Sequence, residues 1–342
     1  MFTLRCEITI EKKDTSRADR ITFTSVHSIE VKRSIYDLGA TATIKIPMTA
    51  VLRQSGKPAT HIETPQMIDV EDKITISMGY DMRMVKEFVG YVKQINHKKP
   101  LEIECEDEFY KVRSTPCTFS AKTATLKECL AATLPDVKIG HCTNLTLKNF
   151  VVDNNGQWLL SELKKEYGLT IFFDVDNKLY VGKAFEVATG RAKYRMGYNV
   201  IKNKDLKFKQ EKDKTLLVKA ICYYKDGRRE QGEAGKKGGE EKTLYYYDVE
   251  NQEELKLLAQ EEYSRYIYDG YEGKMETFLA PAAFPAMVAE IEDPDYPERT
   301  GSYYIESTTT TFGAGGDSGN SEGGAQSVPA GGRRTIAIGR KV

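Results

Sequence analysis

Few residues in this chain are spaced for chemistry. Asp174-Val-Asp-Asn-Lys-Leu179 opens like a calcium loop, with acidic oxygens on alternate residues. Such a loop also needs a glycine at its sixth position and a distal glutamate to close the oxygen shell. Leu179 stands at the sixth position here, and a hairpin turn over Val175-Asp-Asn177 accounts better for the run. His141 and Cys142 are neighbours, but adjacent side chains on an extended chain point to opposite sides, which does not make a nucleophile–base pair. The acidic stretch Glu290–Asp295 is broken by Pro294 and followed by Pro297, so it reads as a loop at a strand end. Acid–base catalysis needs two carboxylates converging on one cleft, and this spacing does not place them there. Gly313-Ala-Gly-Gly316 does not lead from an apolar strand into a helix, as a phosphate-cradling loop must. There is no G-x-S-x-G elbow. The six cysteines, Cys6, Cys105, Cys117, Cys129, Cys142 and Cys222, form no C-x-x-C pair that a tetrahedral metal could use. They read as free, mostly buried thiols. Tyrosines cluster at Tyr245–Tyr247 and at Tyr263, Tyr266, Tyr268 and Tyr271. Aromatic platforms can stack bases or sugars, but a ring with one dry and one wet end equally suits cores and subunit interfaces, and that reading is preferred. The sequence therefore predicts no catalytic residue, no cofactor and no metal ligand.

Bulk properties narrow the field further. The 342 residues suit two or three domains. Fifty basic and fifty acidic side chains cancel, which does not support a broad attraction to nucleic acid or anionic membrane. The N-terminal segment Met1–Glu11 alternates and has no apolar core of a secretory signal. No run approaches the roughly 20 apolar residues of a membrane span. The expectation is a soluble chain made in the cytosol.

The elements show a repeat. One copy reads Ile74–Tyr80, Gly90–Ile95 and Leu101–Cys105; the other reads Met287–Ile291, Gly301–Glu306 and Thr335–Gly339. Apolar residues alternate in each strand, so one face is buried and the other wet. Each copy has a lead-in pair: Ile29–Ile35 with Ala40–Ile46, and Leu206–Phe208 with Thr215–Tyr223. Half-buried strands in series hide their apolar faces by curling or stacking. The fold class expected is mainly β with an α/β insert, as two similar antiparallel β-barrels flanking a small α/β module. The expected divisions are 1–112, 113–193 and 194–342.

In the middle segment, Thr125-Leu-Lys-Glu128 is a capping box, and Leu126, Cys129, Leu130 and Leu134 follow on one helical face up to Pro135. A second helix is predicted over Gly156–Tyr167, striped by Trp158, Leu159, Leu163 and Tyr167 and capped by Gly168. A third is predicted over 251–268. Lys225–Lys242 is polar and glycine-rich and is predicted to be a mobile loop, as is the Gly/Ser-rich stretch 313–332.

The order of these elements resembles the baseplate or tail hub family of contractile phages and related injection systems: the late control protein D group, the phage Mu and T4 hubs, and the N-terminal part of the type VI secretion spike protein. The residues carrying the resemblance are Gly79-Tyr80, Phe88–Ile95, Phe284–Asp293, Gly301–Ile305 and Arg333–Gly339. It implies a homotrimer whose two β-units per chain make a pseudo-six-fold ring. That ring would join a hexameric tail tube to a trimeric spike and line a channel. The implied partners are the tube protein ring, a separate spike protein, since no spike segment follows the last strand, and other baseplate proteins. DNA or an effector would be passing cargo. The implied location is a virion tail or injection particle assembled in the bacterial cytoplasm. Arg228, Arg229, Lys236 and Lys237 in one polar loop, and Gly315, Gly316 and Asp317 in the other, are candidate assembly contacts. The Gly/Ser loop is either ordered by such contact or a tolerated insertion. The alternatives are a host-glycan adhesion module and, with less support, a tail-borne wall hydrolase.

Overall fold

The computed structural model describes residues 3–13, 20–53, 59–183, 185–186, 188–203, 205–210, 215–224, 227–246, 251–313 and 331–342. The alternating segments become strands. The first β-unit holds β1 (Leu4–Glu11), β2 (Arg20–Phe23), β3 (Ser28–Ser34) and β4 (Thr41–Ile46). The hairpin β5 (Thr49–Leu52) and β6 (Thr60–Glu63) follows, then β7 (Lys73–Tyr80), β8 (Arg83–Asn96) and β9 (Leu101–Glu106). β7, β8 and β9 form an antiparallel meander. β1 flanks β7, β4 flanks β9, and β3 lies outside β4. The inward phase of these strands, with Ile8, Ile10, Ile44, Ile74, Ile76, Phe88 and Ile103, is one buried cluster. Gly90 is required by close approach: a Cβ there would sit 2.2 Å from the backbone oxygen of Glu106.

The α/β module follows as α1 (Phe109–Val112), β10 (Pro116–Thr125), α2 (Leu126–Thr133), β11 (Ile139–Cys142), β12 (Thr146–Asn155), α3 (Gly156–Glu166), β13 (Thr170–Phe173) and β14 (Leu179–Gly182). The capping box is present: Thr125 Oγ1 accepts from the Glu128 N–H at 3.2 Å, and Glu128 Oε2 accepts from the Thr125 N–H at 2.7 Å. α3 ends before Gly168, whose φ of 62° is the left-handed value that glycine tolerates. The stripe on α3 differs from expectation. Leu160 is buried with Leu159 and Leu163, while Trp158 is 37% exposed. β13 and β14 make the expected hairpin, with Asn177 left-handed in its turn.

The last segment contains β15 (Arg191–Arg195), β16 (Val200–Lys202), β17 (Lys207–Lys209), β18 (Leu216–Tyr223), β19 (Arg229–Gly235), β20 (Glu240–Tyr246), α4 (Gln252–Tyr266), β21 (Gly270–Glu272), β22 (Lys274–Thr277), β23 (Val288–Glu292), β24 (Gly301–Gly313) and β25 (Gly331–Lys341). β23, β24 and β25 form a second antiparallel meander. The order β15-β23-β24-β25-β22-β16 repeats β1-β7-β8-β9-β4-β3, except that β15 runs parallel to β23 where β1 is antiparallel to β7.

Three expectations are corrected. The lead-in strands of the second unit are not Leu206–Phe208 and Thr215–Tyr223. β16 and β22 hold the places of β3 and β4, while β18 belongs to a separate sheet. Nor is 225–242 a mobile loop over its described part. β19 and β20 flank β18 on either side, and α4 covers one face of that sheet, with Leu216, Val218, Ala220, Cys222, Leu255 and Ala259 as the core. The polar, glycine-rich run forms strands because β18 and α4 supply most of the apolar side chains, so β19 and β20 add only Ala234, Leu244 and Tyr246 to the core and are held chiefly by hydrogen bonds to β18. Gly232 lets β19 lie against the backbone of α4, where a Cβ would meet Leu255 at 2.5 Å. Finally, strand pairing among the described residues closes neither unit into a barrel; both belong to one 15-stranded sheet. β24 makes the join. Its first half, Gly301–Tyr304, pairs with β23, and its second half, Ser307–Gly313, pairs with β3 of the first unit. The β24–β25 register shifts between these halves, and such irregularities bend and twist a strand.

Candidate functional site

The splice between the two units buries a network of charged and polar side chains. On β25 the inward phase reads Gly332, Arg334, Ile336 and Ile338, so a guanidinium occupies a core position. Arg334 is 0% exposed. Its Nη1 donates to the carbonyls of Leu279 at 3.0 Å and Pro281 at 2.8 Å, and its Nη2 donates to Glu87 Oε1 of β8. Thr310 of β24 donates from Oγ1 to Glu87 Oε2 at 3.3 Å. Arg33, inward on β3 with Ile29 and Val31, donates from Nε to the Glu87 carbonyl at 3.1 Å. β8 lies three strands from β3 in the sheet order, so these side chains span the gap that strand pairing leaves open. Burial pushes the Glu87 carboxyl up, against the pull of Arg334 and Arg33, and burial pushes Arg33 down. Asp107, at the root of the α/β module, accepts from the N–H groups of Ala40 at 2.7 Å and Phe109 at 3.0 Å. Burial raises its pKa to about 7, opposed by Arg33 and those two N–H groups.

Apolar contacts reinforce the joint. Leu279, carried by the second unit, lies in the core of the first, as does Phe312 of β24. A separate cluster takes Ile35 from the first unit, Phe172 and Tyr180 from the module, and Ala286 and Tyr304 from the second unit. Fully burying one such side chain is worth about 1.5–3 kcal/mol. This arrangement fixes three bodies relative to each other. Arg334 and Glu87, the latter 2% exposed, are closed to any substrate.

The candidate assembly residues lie elsewhere. Arg228 and Arg229 stand at one end of β19, with the Arg228 guanidinium over the Tyr224 ring at 4.9 Å. Lys236 and Lys237 stand at the other end, about 20 Å away along an extended strand, and Lys237 pairs with Glu233 at 3.8 Å. The structure does not bring the two pairs together. Gly315, Gly316 and Asp317 lie outside the described residues. All six cysteines are free, five of them buried, with Cys142 half-buried. The sequence reading missed Arg33, Glu87 and Arg334. Arg33 and Arg334 were legible as charges on the inward phase of alternating strands, Arg33 between Val31 and Ile35 and Arg334 between Gly332 and Ile336.

No protein-family model matches the sequence, and no curated protein matches it. The fold has clear relatives among solved structures. The 43 kDa tail protein of prophage MuSo2 from Shewanella oneidensis is 12% identical, with a TM-score of 0.62 over 98% of each chain. The tail protein from Neisseria meningitidis MC58 is 11% identical, with a TM-score of 0.64 over 98% of this chain and 96% of that one. The E. coli protein c3393 is a component of the type VI secretion system with structural similarity to T4 bacteriophage tail proteins gp27 and gp5. It is 9% identical, with a TM-score of 0.53 over 93% of this chain and 74% of its own. The chain thus has the tail hub-like fold that the element order suggested.

Proposed function

We propose that this chain is a structural, non-enzymatic hub of a phage tail or contractile injection apparatus. In this reading three copies make a symmetry adaptor that seats a hexameric tail tube on a trimeric spike and lines the channel between them. The observation that carries it is the splice of β24: two units of matching strand order are locked edge to edge and pinned by Arg334, Glu87 and Leu279. A symmetry adaptor has to present two similar surfaces at a fixed angle, and a mobile linker between its units would defeat that. The tail-protein fold supports the same reading. The expected partners are the tube ring, a separate spike protein and other baseplate proteins, and the expected location is the tail or injection particle. Arg228 and Arg229 at one end of β19, and Lys236 and Lys237 at the other, are proposed as assembly contacts.

The test is the mass of the full chain by light scattering across a concentration series, with imaging of any ring. A trimer with six similar lobes is the expected result, with interfaces of about 2,000 Å² or more. A monomer at every concentration, including in the presence of tube protein, overturns the reading. One feature favours a second role in glycan adhesion: Tyr223 and Tyr245 stack at 6.2 Å between centroids and are 43% and 58% exposed. Sugar binding lost in Tyr245→Ala would support that role.

A further inference from the structure

The two units share one hydrogen-bond frame, residue for residue. In the first, Glu71 is left-handed with φ 72°; its N–H donates to the Val92 carbonyl at 2.8 Å, and the Val92 N–H donates to the Asp72 backbone carbonyl at 2.9 Å. In the second, Ala286 is left-handed with φ 66°; its N–H donates to the Ile305 carbonyl at 2.9 Å, and the Ile305 N–H donates to the Met287 carbonyl at 2.9 Å. Val92 of β8 is therefore the counterpart of Ile305 of β24. Each strand leaves its hairpin partner at the same point: β8 parts from β7 after Tyr91, and β24 parts from β23 after Tyr304. β24 then takes up β3 over seven residue pairs, Ser307–Gly313 against Ser34–Ser28, which is the splice. On β8 the same edge, Lys93–Asn96, carries no strand among the described residues.

The second unit holds the matching edge. β22 and β21 run along β25 as β4 runs along β9, and β16 and β17 lie outside them as β3 lies outside β4. β3 has β24 on its far side, whereas the far side of β17 has no strand among the described residues. The register carries over as well. Ile95 opposes Ile103 as Thr308 opposes Ile336, and those two isoleucines oppose Ile44 and Met275 on their other side. Three residues before Ile44 and Met275, Thr41 opposes Lys32 and Glu272 opposes Lys207. Lys207 and Phe208 thus stand where Lys32 and Arg33 stand. At the splice Thr308 and Arg33 are 3% and 5% exposed, while their counterparts Ile95 and Phe208 are only half-buried. An uncovered strand edge is a template for pairing with another chain.

We propose that β8 of one copy pairs antiparallel with β17 of a second copy, with Ile95 opposite Phe208 and Asn96 opposite Lys207. The seam that β24 and β3 make within one chain is then repeated between chains, and Ile95 and Phe208 cover each other where the splice has Thr308 and Arg33. The two edges differ, so the contact is head-to-tail and ends in a ring where the rotation closes. This proposal deepens the hub reading and takes the number of copies from it.

At the splice the Ile35 N–H donates to the Glu306 carbonyl at 3.0 Å, and bonded pairs alternate with non-bonded ones along antiparallel strands. Asn96 and Lys207 accordingly form a non-bonded pair, with Cα atoms about 4.5 Å apart, within disulfide reach. The test is oxidation of the full-length variant Asn96→Cys/Lys207→Cys with copper phenanthroline in air, read on non-reducing gels and by peptide mapping. Linked dimers and trimers joined through the two introduced thiols are expected, with the parent and the single variants as background. Asn96→Cys/Lys202→Cys is the register control. Lys202 lies roughly 15 Å further along the strand line, so it should link at least tenfold less. Asn96 also bonds Glu102 and Glu104, so the unmodified chain provides a second arm. Amide exchange in peptides spanning Gln94–Asn96 and Lys207–Lys209 should slow at least tenfold between dilute and assembled protein. A trimer that links no better than the register control, or whose two peptides gain no protection, overturns this pairing and leaves the hub reading standing. A chain that stays monomeric at every concentration, with tube protein present, overturns both.

Discussion

Replacing Arg334 with methionine removes the charge at the centre of the splice and keeps a long apolar stem. Four contacts go with it: to Glu87, to the carbonyls of Leu279 and Pro281, and to Thr310 Oγ1 at 3.4 Å. Breaking a buried ion pair from one side costs about 3–5 kcal/mol, because the remaining charge stays buried without compensation. Two orphaned carbonyls would each add about 1–3 kcal/mol if they found no water. The contributions overlap, so the expected loss is about 4–5 kcal/mol, near the top of the range for a single substitution. Glu87→Gln, which keeps shape and can still accept one bond, should cost about half that. In the double variant Arg334→Met/Glu87→Met no charge is left stranded, and the coupling should return about 2–3 kcal/mol. The assay is urea unfolding followed by circular dichroism, with the midpoint shift read at constant slope. Fluorescence is unsuitable, because the single tryptophan, Trp158, lies on α3 in the module and not at the splice. A loss below about 1 kcal/mol for Arg334→Met, or strict additivity in the double variant, would refute the claim that this pair locks the two units.

Gly90→Ala should destabilise by about 1–3 kcal/mol or more, because its new methyl meets the Glu106 backbone across β8 and β9. Gly301→Ala, which meets only the movable end of Lys341, should shift the urea midpoint far less. Alkylation of the folded chain at pH 8 followed by peptide mapping should label Cys142 first, since the other five thiols are buried, and burial raises Cys6 and Cys129 to about 11. The hydrogen bond from Lys86 holds the Asp176 carboxyl below its usual range. Its contribution is therefore present above the ordinary aspartate pKa and lost as pH falls through the lowered one. Both side chains are about half exposed, so the effect is small, roughly 0.5 kcal/mol. The difference in Tm between the parent and Asp176→Asn should accordingly be present at pH 6, shrink with salt, and fall away only as pH drops below the ordinary aspartate range.

What the sequence determined is what a local period can carry. Alternation in Lys73–Glu106 and in Val288–Lys341 set the two meanders, and Thr125 with Glu128 set the start of α2. Asn177 in its turn set the β13–β14 hairpin. Each depends on neighbours within a few residues, so a single chain read in order reveals it. The tail hub-like resemblance was legible for the same reason, because it rested on element order. Tertiary structure decided the rest. Whether β18 joined the second unit or founded its own sheet depended on β19 and β20, which are mostly polar and place only Ala234, Leu244 and Tyr246 against the core. Their strand state comes from backbone hydrogen bonds to β18 and from the cover of α4. The join through β24 pairs residues almost 280 positions apart, such as Thr310 with Val31, and no local spacing encodes a partner so distant. Arg33 and Arg334 announced themselves as charges out of place on inward faces. That one glutamate on β8 would answer both was settled only when the sheet curled far enough to bring the three together.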